Sequence, residues 1–171
     1  MRSVLFVDDT PYQRGVIARI IFENMLKNAR YSALITAKAA ELDPMSINGF
    51  PPELVKVLRS KLGITIPENH STLSKFEIRP TQFDLIVVLN EKLKKDILSD
   101  KTVSLSELAE TPLSIPDSLT HGGKIEGYMH LVEGVFAAMK KAFHPILQHL
   151  GMEKDHNTFS AMSTFFLVQD R

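Results

Sequence analysis

Cysteine is absent from this 171-residue chain. Its absence excludes disulfides, thiolate metal sites and every thiol nucleophile. Charge of one sign is also missing in excess. Lys+Arg and Asp+Glu each number 20, so nothing in the composition favours nucleic acid, an anionic lipid surface or another polyanion. Long hydrophobic runs are lacking as well: no stretch of about 18 apolar residues occurs, and the four clearly apolar residues after Met1-Arg2-Ser3 are too few for a secretory h-region. These features lead us to expect a soluble, cytoplasmic protein of one compact core. A chain of this length buries roughly 70% of its unfolded surface.

Short strands alternate with helices along the sequence. Ser3 to Val7 is an apolar, β-branched run that stops at Asp8-Asp9-Thr10-Pro11, as a buried parallel strand entering a loop does. From Gly15 to about Asn28, Val16, Ile17, Ile20, Ile21, Met25 and Leu26 recur at helical spacing. A second strand is expected over Ser32 to Ala37. A helix then opens at Pro51-Pro52, carries Leu54, Val55, Leu58 and Leu62, and ends at Gly63. Ser74 and Glu77 have the spacing of a capping box for a short helical turn. Phe83 to Leu89 is the strongest strand signal, followed by a short helix over Glu91 to Leu98, a weaker strand over Thr102 to Leu105 and a loop from Thr111 to Gly123. A final helix runs from Ile125 to about Leu150, with Pro145 expected to kink or restart it. This alternation predicts a parallel sheet covered on both faces.

Three stretches in this order resemble the low-molecular-weight tyrosine phosphatases and the related arsenate reductases. The strand SVLFV, the loop from Asp8 to Arg14 and the helix from Gly15 resemble the family start, V-C-x-x-N-x-C-R-S-P. FDLIVVLNEKLKKDI, residues 83–97, resembles the family's third strand and the turn after it. IPDSLTHGG, residues 115–123, resembles the loop that carries the general acid, D-P-x-x-G-G. The resemblance covers about residues 3–150. It implies an α/β three-layer sandwich around a four-stranded parallel sheet, of the phosphotyrosine protein phosphatase I type. The domain would span residues 1–151. Residues 152–171 would form an extension that adds a strand, packs on the domain or makes a homo-oligomer contact through the apolar run Thr164 to Val168.

By the same resemblance the anion loop is Asp8, Asp9, Thr10, Pro11, Tyr12, Gln13, Arg14 and Gly15, and the degenerate catalytic set is Asp8, Arg14 and Asp117. Family chemistry proceeds through a phosphocysteine: loop N–H groups and a helix N-terminus cradle the phosphate, the arginine clamps it, a thiolate attacks in line and an aspartic acid protonates the leaving group. Here Asp8 stands at the cysteine position and Arg14 at the arginine position, with Asp117 in the acid's place. Asp9 adds a second carboxylate, and two such charges about 4 Å apart repel by roughly 4 kcal/mol at an effective dielectric of about 20. Pro11 offers no N–H to a phosphate. Gln13 replaces the second family cysteine and Gly15 the serine that hydrogen-bonds the thiolate.

Two readings of the loop stand side by side. In one, Asp8 or Asp9 occupies its own anion cradle and pairs with Arg14, giving a catalytically impaired, pseudophosphatase-like binding or regulatory module whose partner is a phosphoprotein or small anion. In the other, Asp8, Asp9 and Thr10 form an exposed loop that caps the next helix. A divergent phosphatase using Asp8, Arg14 and Asp117 is the enzymatic alternative. It would need Mg²⁺, whereas the first reading needs no cofactor. The Val-Asp-Asp after the first strand also resembles a response-regulator receiver, although Asn90 stands at the phospho-acceptor position. A haloacid-dehalogenase-type site is disfavoured because adjacent Asp8 and Asp9 point to opposite sides of an extended segment.

No metal set is expected. His144 and His149 are wrongly spaced around Pro145 to share one helical face. Met129, Leu131, Val132, Val135, Phe136, Met139 and Phe143 are expected to form the packed face of the last helix, and Lys92, Lys94 and Lys95 a solvated one.

Overall fold

The computed structural model of the chain describes residues 1–10, 13–42, 50–66, 72–74, 77–113 and 125–152. Strand β1 (Arg2–Asp8) leads to helix α1 (Arg14–Asn28), β2 (Ile35–Glu41), α2 (Pro52–Leu62) and β3 (Thr72–Ser74). Then follow β4 (Leu85–Val88), β5 (Thr102–Ser104), α3 (Leu105–Ala109) and α4 (Ile125–His149). All pairings are parallel, in the order β3-β2-β1-β4-β5. Among the described residues the sheet therefore has five strands where four were expected. The additional one is β3, at the edge beside β2. It ends at Ser74, whose N–H and hydroxyl each donate to Glu77 at 2.8 Å, so the anticipated Ser–Glu contact closes a strand.

Side chains of β1 alternate between two cores. Val4 and Phe6 face one cluster with Leu85, Val87 and residues of all four helices. Leu5 and Val7 face another with Ile86, Val88, Leu93 and Ile97. Both faces of the sheet are thus covered, but the second by the 3-10 turn Glu91–Lys95 and its flanks. Phe22 on α1 packs edge-on against Phe6 of β1, with centroids 5.4 Å apart, and meets Phe143 of α4 at 5.7 Å. These rings tie the central strand to two helices.

Several boundaries differ from expectation. Strand β2 starts later and continues through Ala39, Ala40 and Glu41. In α2 the buried face is Leu54, Val57 and Leu58, while Val55 lies one helical step off that face and is exposed. The segment after β4 is a 3-10 turn, not a helix to Leu98. Helix α3 was unforeseen. It begins on Ser104, whose hydroxyl accepts from the Glu107 N–H while Glu107 accepts from the Ser104 N–H, a full capping box. Helix α4 passes through Pro145 as one element, because Leu131, Val132, Val135, Met139, Phe143, Ile146 and Leu147 are buried on both sides of the proline. Met129 and Phe136 lie at the margin of that face. Among the described residues no helix is long and apolar enough to cross a membrane.

Candidate functional site

The chain moves outward from β1 through β2 to β3, then returns to the other side of β1 for β4 and β5. Connections therefore diverge between β1 and β4, and a crevice opens beyond their carboxyl ends, the usual ligand position in parallel sheets. Asp8 is the last residue of β1 and Asn90 follows β4. An open cleft of about 800 Å³ lies here, lined by residues including Thr10, Arg14, Asn90, Glu91, Ser106 and Leu113.

At its base the Asp8 carboxylate is fully buried and Arg14 is 3% exposed. Arg14 Nε donates to Asp8 Oδ2 at 3.0 Å and Nη2 to Oδ1 at 2.7 Å. Nε and Nη2, which form one edge of the guanidinium, match both carboxylate oxygens, the bidentate arrangement that also suits phosphate. The Asp9 N–H donates to Asp8 Oδ1 at 3.0 Å, and the Thr10 hydroxyl to Oδ2 at 2.7 Å. A carboxylate offers about four acceptor positions, and these donors fill them.

Arg14 reaches Asp8 because the backbone turns sharply just before it. Gln13, buried, adopts a left-handed conformation (φ 57°, ψ 32°), and its carbonyl accepts the Ile17 N–H at 2.9 Å. The turn starts α1 with Arg14 already pointing back at the end of β1. Asp9 points elsewhere: its two oxygens accept from the Asn90 side-chain amide at 3.3 and 3.2 Å. Adjacent carboxylates are thus separated, Asp8 inward to Arg14 and Asp9 sideways to Asn90.

Gly15 follows in the first turn of α1. A Cβ at this position would lie 3.3 Å from the Asp8 backbone nitrogen and 3.3 Å from Glu41 Oε1. Glu41, at the end of β2 and in register with Asp8, is 4% exposed. Sequence reading passed over Glu41, because no motif marks it; only the register of β2 on β1 brings it here. Asn90 drew notice solely as a misplaced acceptor. Of the residues expected at the site, Asp8, Asp9, Thr10, Gln13, Arg14 and Gly15 come together. Pro11, Tyr12 and Asp117 lie outside the described residues, as does the tail from residue 153. Among the described residues no group of three or more His, Asp or Glu is placed to hold a metal ion.

No family model matches the sequence, and no curated protein does. Solved structures do match. A low-molecular-weight protein tyrosine phosphatase from T. tengcongensis shares 23% identity over 85% of this chain and 99% of its own, with a TM-score of 0.65. The YwlE arginine phosphatase from Geobacillus stearothermophilus is 20% identical over 91% of this chain and 99% of its own, at 0.67. A protein tyrosine phosphatase from Entamoeba histolytica, with Hepes in its active site, is 15% identical over 90% of this chain and 100% of its own, at 0.66. At these identities the likeness is one of fold. The chain carries the low-molecular-weight tyrosine phosphatase fold in a form without cysteine.

Proposed function

We propose that this protein is a catalytically impaired relative of the phosphatases it resembles and serves as a binding or regulatory module. The observation that carries this reading is the buried, two-point ion pair between Arg14 and Asp8. A phosphate clamp must present its guanidinium to the incoming anion, and here an internal carboxylate holds the Nε–Nη2 edge. A nucleophile must in turn face the cleft with a lone pair free for in-line attack. Asp8 is fully buried and its oxygens are taken up by Arg14, Asp9 N–H and Thr10. Partner recognition then falls to surfaces around the cleft.

Thermal shift with phosphate, arsenate and vanadate, paired with p-nitrophenyl phosphate hydrolysis with and without Mg²⁺, tests the reading. An intact cradle with Kd one hundredth of the ligand concentration would add about 2.7 kcal/mol. We expect neither stabilisation nor turnover. Stabilisation that disappears in Arg14→Ala, or Mg²⁺-dependent turnover that disappears in Asp8→Asn, overturns it in favour of a divergent phosphatase.

A further inference from the structure

We propose that Glu41 is a second residue closing the anion cradle, so that removing Asp8 alone does not reopen it. This inference rests on the reading that Asp8 fills the cradle. Its own support is independent of the Asp8–Arg14 contact and comes from the space around Gly15.

Strands β1 and β2 run side by side, with Asp8 opposite Glu41. Both strands therefore end at the same height, beneath the first turn of α1. Glu41 Oε1 comes within 3.3 Å of the point where a side chain at position 15 would begin, and that point is 3.3 Å from the Asp8 backbone nitrogen and 3.4 Å from its Cβ. A serine at position 15 would press on the Glu41 carboxyl group and on the Asp8 backbone, which would have to give by a few tenths of an ångström; Gly15 spares them that shift. Glu41 is only 4% exposed, so its carboxyl group meets the helix start inside the protein, where solvent and salt reach it poorly.

An anion entering the loop after loss of Asp8 would still meet this carboxylate. Glu41 acts on the loop from beside Gly15 and Asp8 without needing contact with the ligand, so it is a positioning residue that sets the sign of charge the loop tolerates.

Vanadate affinity, measured by thermal shift at constant ionic strength, separates the possibilities. Four proteins are compared: the natural chain, Asp8→Asn, Glu41→Gln and the double variant, each checked for folding by circular dichroism. Glutamine preserves the shape of Glu41 and removes its charge, so a change in affinity reports the charge and not the packing. We expect no binding by the natural chain or by Glu41→Gln, weak binding by Asp8→Asn, and binding at least tenfold tighter by the double variant. Equal affinity in Asp8→Asn and the double variant overturns the role of Glu41 and leaves the proposed function standing. Vanadate binding by the natural chain overturns the proposed function itself. Should Asp8→Asn fail to fold, Asp8→Ser takes its place with and without Glu41→Gln, under the same criteria.

Discussion

The Asn90 side-chain amide donates to both oxygens of Asp9, bridging the ends of β1 and β4 across the crevice. Asn90 Oδ1 meanwhile accepts the Lys92 N–H at 3.1 Å and starts the turn that carries Leu93 into the second core. Asn90→Ala removes both functions, and we expect a loss of about 1 kcal/mol, the usual value of such a cap, in urea unfolding. Asn90→Asp sets a carboxylate against Asp9 and should cost more at neutral pH. That extra cost should shrink as added salt screens the two like charges; a salt-independent difference would refute the charge assignment.

The buried pair predicts strong coupling. Arg14→Ala strands a buried carboxylate and Asp8→Ala a buried guanidinium, so each should destabilise by about 3–5 kcal/mol. The double variant should lose clearly less than the sum of the two, because neither charge is left alone. Additive losses in a double-mutant cycle would mean that the two residues are held by separate partners.

Acid should weaken the hinge between β1 and β4 through Asp84. The Ser3 N–H donates to it at 2.8 Å, and the Ser3 hydroxyl and Arg2 add their own bonds at 3.0 Å each. The Ser3 backbone bond leads in holding the Asp84 carboxyl below its ordinary 3.8. A depressed folded value means that the stabilisation is complete above the unfolded value and disappears as pH falls below about 4 through the folded one. Asp84→Asn should therefore flatten the acid limb of the stability curve, and NMR titration of the natural chain should place Asp84 below an unfolded reference.

Gly134 stands within α4, exposed, with no atom of the described residues within 4 Å of the position of a Cβ. Among those residues nothing requires glycine there. Gly134→Ala should raise stability by about 0.5–1 kcal/mol through helix propensity alone, visible as an increase in Tm. A decrease would show that this helix face is covered by something in solution.

Elements that carry a strong apolar pattern of their own were legible in the sequence. SVLFV and FDLIVVL are apolar because both of their faces are buried, and they appear as β1 and β4. The spacing of Val16, Ile17, Ile20 and Ile21 gives α1 directly. Elements too short to carry such a pattern were not. Strand β3 is three half-buried residues that exist only because β2 offers an edge. Helix α3 is five residues long, and its one signal, Ser104 three before Glu107, was available but sat inside an expected strand. At the site, the resemblance put Asp8 and Arg14 at the family's cysteine and arginine positions and so suggested that Asp8 or Asp9 pairs with Arg14, whereas Glu41 is invisible without the register of two strands. Pro145 misled in the opposite direction: local chemistry argues for a break, and burial of the residues around it prevails.

Both margins of the sheet, β3 and β5, are only three residues long, against seven for β1 and β2. A margin so short exposes few unpaired backbone donors and acceptors for a foreign strand to zip onto. Growth by edge-to-edge stacking, the first step toward fibrillar assembly, is therefore poorly templated by the described sheet, however apolar its centre.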